Sequence, residues 1–281
     1  MSEPERPATQ PDRTRRLRMA AAGAAIAAVV VVLMAMIIVK LADGGAEPAG
    51  QAGTPPTAAG TGPQSPDTAK VVAAVTGVPA AVLDQVGRGT VAALPSPLDN
   101  QPALRDGDKP LALFIGSEAC PHCGTQRWAV AVAFARFGTF QDLTTSPRGS
   151  QTPKALSFYG ATYTSQYLSL QTVEAASSSG ERLQELTAEQ QAVMSSYGTG
   201  AVPFLDLGNR YVMIGSSYSS DAMTGKTALQ IAEALDDPDD PITKAIGGGA
   251  NALTTAICTM TGNQPGEVCS GAAAMAYAGA F

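Results

Sequence analysis

Apolar and polar positions fall into three regimes along the chain. From Met19 to Val39 the sequence is apolar, with no charged side chain and no polar face. About 20 such residues suffice to cross a bilayer as a helix. This pattern predicts one transmembrane helix over 19–41. Residues 42–68 are mostly Gly, Ala, Thr, Pro and Gln, with almost no large apolar side chains. A segment of that kind cannot bury enough surface to fold, so it predicts a flexible linker. Over 69–281 apolar positions recur with helical and strand periods, which predicts one α/β domain.

Within that domain, Val71, Val72 and Val75, then Val82, Leu83 and Val86, suggest short helices on either side of Gly77-Val-Pro79. The run Leu111-Ala-Leu-Phe-Ile-Gly116 reads as a strand. Gly124 to Phe137 contains no proline and carries Trp128, Val130, Val132 and Phe134, a helix that Gly138 would stop. Ala155–Tyr159 and Tyr167–Val173 are expected to be strands. Thr187-Ala-Glu-Gln190 is a capping box, and the helix it opens has Val193, Met194 and Tyr197 on one side. Val202-Pro203-Phe-Leu-Asp-Leu207, the turn Gly208-Asn209 and Tyr211–Ile214 predict a hairpin. Ala228, Ile231, Ala232 and Leu235 recur at helical spacing. A last helix is expected to start at Pro241 after Asp240, with Gly247-Gly-Gly249 weakening or breaking it midway.

Charge sets the orientation and excludes one class of partner. Arg13, Arg15, Arg16 and Arg18 precede the apolar run, and Lys40, Asp43 and Glu47 follow it. The positive-inside rule therefore predicts a cytoplasmic tail over 1–18 and a domain outside a single-pass cytoplasmic membrane anchor. A cleaved signal peptide is the competing reading, but its apolar core typically spans only 7–15 residues. The formal net charge is −6, and no basic run follows the anchor, which argues against nucleic acid as a partner.

The candidate chemistry lies in Cys120-Pro121-His122-Cys123, two thiols one helical turn apart directly after the strand ending at Gly116. Strand, turn, CxxC and helix is the order of a thioredoxin-like redox site. Pro121 suits the first helical position, and Cys120 would sit at the positive end of the helix dipole, where a thiolate is stabilised. Two plainer readings compete: half of a zinc site and an inert short disulfide. Zinc would need about four Cys or His ligands, and the chain has one histidine and two other, distant cysteines. His122 is expected to tune the Cys120 thiolate, though a lone histidine is often only a surface residue. Glu118 could relay protons but reads better as a solvated loop carboxylate. Arg127 is expected on a solvated helix face, and Trp128 in the core. Cys258 and Cys269 lack CxxC spacing and, outside the membrane, are expected to form a structural disulfide. A second redox pair relaying electrons is the alternative.

The Cys-Pro-His-Cys site and Gly200-Ala-Val-Pro-Phe204 resemble the DsbA type of extracytoplasmic disulfide oxidoreductase. Glu118-Ala-Cys-Pro-His-Cys-Gly-Thr-Gln-Arg-Trp128, Arg136-Phe-Gly-Thr-Phe140 and Ala161-Thr-Tyr-Thr-Ser165 look like the prokaryotic domain-of-unknown-function 929 family. This resemblance implies a thioredoxin-like fold with an enlarged middle segment and an extra C-terminal helix, preceded by the transmembrane helix. It implies Cys120 as attacking thiol, Cys123 as resolving thiol, and Val202-Pro203 as the substrate-binding step, with Pro203 cis and the Val202 backbone pairing with a substrate peptide. A trans proline at a strand edge is the alternative there. The expected function is a thiol–disulfide oxidoreductase, an oxidase of cysteine-containing secreted or membrane proteins, with a potential above roughly −200 mV. A reductase fed by a membrane redox partner and a non-catalytic peptide-binding module are the alternatives. No metal or organic cofactor is expected.

Overall fold

The structure, a computed structural model, describes residues 64–146, 154–197 and 200–280. The tail expected over 1–18, the apolar span over 19–41 and most of the linker over 42–68 lie outside these residues. Among the described residues, no single helix is long and apolar enough to cross a membrane. Among the described residues the first helix is Pro66–Thr76. Ser65 caps it through a side-chain oxygen that accepts from the Thr68 amide.

The strands, in chain order, are β1 (Ser96–Pro97), β2 (Arg105–Asp106), β3 (Lys109–Gly116), β4 (Thr139–Gln141), β5 (Thr144–Thr145), β6 (Leu156–Ser157), β7 (Thr162–Thr164), β8 (Ser169–Glu174), β9 (Phe204–Leu207) and β10 (Tyr211–Ile214). The main sheet is mixed. β3 lies at its centre, parallel to β8 and antiparallel to β9, while β10 and then β1 extend it beyond β9. β2 pairs with the start of β3. The chain between β3 and β8 includes the CxxC helix, Pro121–Ala135, as a parallel pair requires a long crossover.

The unbroken apolar run of β3 follows from burial on both faces. Ala112 and Phe114 enter the larger core with Trp128 and Phe134, while Leu113 and Ile115 meet Val173, Met194 and Phe204 on the other side. The strand expected at Ala155–Tyr159 is only β6, which pairs with β5 outside the main sheet. Phe158 beside it stacks on Phe140 at 5.8 Å.

The triple glycine does not break the helix expected after Asp240, which is continuous from Pro241 to Met260, and that helix is not the last, since short helices at Gly266–Cys269 and Ala272–Met275 follow it. Each interior glycine costs roughly 1 kcal/mol relative to alanine by propensity, and close packing offsets this. A Cβ on Gly248 would lie 2.5 Å from the Arg88 carbonyl oxygen, and one on Gly249 would lie 2.9 Å from the Tyr218 ring and 3.2 Å from Ala129 of the CxxC helix. The helix thus lies hard against the CxxC helix on one side and the Arg88-Gly89 turn on another. At its far end Cys258 is disulfide-linked to Cys269, with a Cα–Cα distance of 5.5 Å.

Candidate functional site

The site is assembled where β3 runs out. Ala175 donates its amide to the Gly116 carbonyl and Glu118 to the Ala176 carbonyl, both at 2.8 Å, so the loop after β3 is tied to the end of β8. Ser117 stiffens the turn: its carbonyl accepts from the Cys120 amide at 3.1 Å and its hydroxyl oxygen accepts from the Ala119 amide at 3.2 Å. Cys120 is thereby delivered as the N-cap of the CxxC helix, with Pro121 in the first turn. Its sulfur accepts from the Cys123 amide at 3.2 Å, as an N-cap side chain does.

The two thiols sit in unlike surroundings. Cys120 is half-buried, whereas Cys123 is fully buried at 0 % exposure; both are free thiols. A hydrogen bond from the Cys123 side chain, helped by the Cys123 amide and by the charges of His122 and Arg127, outweighs burial and lowers the Cys120 pKa to about 6. The same hydrogen bond and burial push the Cys123 thiol up. One thiol is an accessible thiolate at neutral pH, and its partner is a buried proton holder.

The other expected residues converge on Cys120. The Val202–Pro203 peptide bond is cis, and the Val202 carbonyl lies 3.6 Å from the Cys120 sulfur, placed to accept from it when Cys120 is protonated. His122 is exposed, with Nδ1 3.4 Å from the Ser216 hydroxyl. Its charge is a smaller influence on Cys120 than the hydrogen bonds from Cys123. The loop carrying Ser216 is fixed from both sides. Gly215 donates to the Pro203 carbonyl at 2.9 Å, and the buried Gln126 Oε1 accepts from the Ser217 amide and hydroxyl, each at 2.8 Å.

Two sequence expectations are overturned beneath this surface. Glu118 is not a solvated loop carboxylate: it is 6 % exposed and accepts a hydrogen bond from Ser157. Arg127 is not on a solvated face. It is fully buried and meets Glu174 in a two-pronged ion pair, Nε to Oε1 and Nη2 to Oε2, each at 2.6 Å. The CxxC helix is covered on every side because it lies between the sheet and the long C-terminal helix, so a charge in its middle has no route to water. An all-round apolar helix is the signal that could have found this. Trp128 is fully buried as expected, with its indole N–H donating to the Lys154 carbonyl at 3.2 Å.

Among the described residues, no group of three or more His, Cys, Asp or Glu side chains gathers as a metal site. The Cys258–Cys269 pair does not join the site. Val202 and Pro203 precede β9 at its Cys120 end, whereas Gly208, at the opposite end of β9, abuts Met260 next to the disulfide.

A family model described as Domain of unknown function (DUF929) matches residues 98–259, more than half of the chain. The match includes Cys120, Cys123, Val202, Pro203 and Cys258 and ends before Cys269. No match was found among curated proteins or among solved structures.

Proposed function

The chain belongs to the domain-of-unknown-function 929 (DUF929) family, and for this member we propose a thiol–disulfide oxidoreductase with a thioredoxin-like fold, anchored in the cytoplasmic membrane by residues 19–41 and working outside it. The observation that carries this reading is the asymmetry of the CxxC pair. A half-buried Cys120 at a helix N-terminus has its pKa drawn down to about 6, and a buried Cys123 is held protonated. The βαβ unit formed by β3, the CxxC helix and β8, followed by the hairpin after Val202-Pro203, supports the fold assignment.

In the oxidising direction, a substrate thiolate attacks the Cys120 sulfur of the Cys120–Cys123 disulfide. The enzyme S–S bond breaks, and Cys123 leaves as a thiolate that takes up a proton. A second substrate thiolate then attacks the substrate sulfur of the mixed disulfide and releases Cys120 as a thiolate. Two electrons and two protons leave the substrate dithiol, and a membrane redox partner reoxidises the enzyme. The Val202 backbone beside Cys120 gives an extended substrate peptide a place to pair. The substrates proposed are cysteine-containing secreted or membrane proteins.

One observation favours the reverse direction. A Cys120 pKa of about 6 lies closer to thioredoxin, near 7 and −270 mV, than to DsbA, near 3.5 and −120 mV. A glutathione equilibrium of the full chain decides between them: a potential above roughly −200 mV supports the oxidase, and one near −270 mV the membrane-fed reductase. Cys123→Ala should accumulate mixed disulfides on Cys120 with exported proteins. If no thiol partner is trapped while Cys120→Ser retains full cellular function, the reading fails in favour of a non-catalytic peptide-binding module.

A further inference from the structure

Arg127, whose charge helps to lower the Cys120 pKa, is half of an ion pair under the CxxC turn whose placement is costly. Removing two charges from water costs several kcal/mol per ion, and well-packed apolar residues of similar volume are often at least as stabilising. Arg127 follows Cys123 by four residues, so the two side chains are neighbours on one face of the CxxC helix. Both are fully buried. Glu174 meets the guanidinium from the end of β8, where it pairs with Gly116. It is held there by Gln184, whose Oε1 accepts from the Glu174 amide at 2.7 Å and whose amide donates to the Glu174 carbonyl at 3.1 Å. The pair is therefore held fixed beneath the turn, with the Arg127 guanidinium one helical turn from Cys123. Arg127 spends Nε and Nη2 on Glu174, and Nη1 has no hydrogen-bond partner among the described residues.

We propose that Arg127 and Glu174 form a buried charge pair that biases the Cys120–Cys123 couple toward its thiolate-bearing reduced form, with Arg127 the nearer, attractive pole and Glu174 its partial counterweight. Arg127 is a positioning residue, since it acts through the thiols and touches no substrate. The electrostatics agree with the geometry: the charge of Arg127 draws both thiols toward the thiolate. Glu118 is the other charged group interacting with both members of the pair, and it is left unchanged in the test. The proposal rests on the redox reading of the CxxC pair.

The test uses two variants of the full chain and two readouts: the Cys120 thiolate midpoint, followed by ultraviolet absorbance against pH, and the equilibrium constant with glutathione. Glu174→Gln keeps a hydrogen-bond acceptor for Arg127 but removes the anion. It should lower the midpoint and shift the equilibrium toward the dithiol. Arg127→Met with Glu174→Gln removes both charges, and should raise the midpoint and shift the equilibrium toward the disulfide. A tenfold shift in either direction corresponds to about 30 mV. Opposite signs in the two variants are the expected result, because a merely structural role gives no reason for them. No shift in Glu174→Gln, or shifts of the same sign in both, would overturn the proposal. Should the double variant fail to fold, the sign found in Glu174→Gln decides alone. The thiolate midpoint does not require exchange activity. A chain that fails to equilibrate with glutathione yet shows these midpoint shifts therefore refutes the oxidoreductase reading and not the electrostatic one.

Discussion

The most direct consequence of the site geometry is a pH profile for Cys120 whose cause can be removed piece by piece. With its pKa at about 6, Cys120 is ~90 % thiolate at pH 7, against ~3 % for a free cysteine near 8.5. The thirty-fold gain in thiolate does not become a thirty-fold gain in rate. Nucleophilicity falls with pKa at a Brønsted slope of about 0.4–0.5, which costs ~13-fold over this interval. Net exchange with a small disulfide should therefore be only ~2–3-fold faster than for a free thiol at pH 7, but ~20-fold faster at pH 5.5, where a free thiol is almost wholly protonated. The assay is the first phase of reaction with a small aromatic disulfide from pH 4.5 to 9, with attachment at Cys120 verified by mass spectrometry. Because the side-chain hydrogen bond from Cys123 is the largest influence, Cys123→Ala should move the midpoint upward most. Cys123→Ser, which keeps a donor, should move it less, and His122→Ala should give a small upward shift. A wild-type midpoint at or above 8, or a Cys123→Ala profile superimposable on wild type, would refute the reasoning.

Four further outcomes are expected. Asp206 is buried on β9 and accepts from the Asn209 amide at 2.7 Å, but its Oδ2 has no hydrogen-bond partner among the described residues, and burial raises its pKa from 3.8 to about 6. A raised carboxyl stabilises the fold below the unfolded value and loses that contribution as pH rises through about 6, by about 3 kcal/mol in all. Urea unfolding should accordingly show Asp206→Asn to be more stabilising at pH 8 than at pH 4, and equal effects at the two pH values would refute this. Cys258→Ser opens a loop with a sequence separation of 11 and should cost about 3 kcal/mol of unfolding free energy while sparing thiol exchange; lost exchange in a folded variant would instead favour an electron relay. Gly248→Ala should destabilise despite alanine's higher helix propensity, because the added methyl meets the Arg88 carbonyl at 2.5 Å; a raised melting temperature would contradict the packing argument. Finally, protease added to intact cells should remove the cysteine-bearing domain, and protection until the membrane is opened would reverse the proposed topology.

Features that near neighbours along the chain decide are legible in the sequence. Thr187 and Gln190 cap their helix reciprocally, Asp240 and Pro241 open theirs, and Gly208-Asn209 turns the hairpin, because each signal is a contact within three or four residues. The position of Cys120 at the head of a helix belongs to this class, since the apolar strand, Pro121 and the helix after it are contiguous. Tertiary packing decided the rest. Arg127 looks solvated until Glu174, 47 residues away, is brought to it by the parallel pairing of β8 with β3. Glu118 looks solvated until Ser157, 39 residues away, covers it. The triple glycine reads as a helix break by propensity and becomes a continuous helix because only residues without a side chain let it approach Arg88 and Tyr218 so closely. Local sequence sets backbone preferences of about a kcal/mol per residue. Burial sets which charges survive and what faces them, and several kcal/mol per buried ion overrides those preferences.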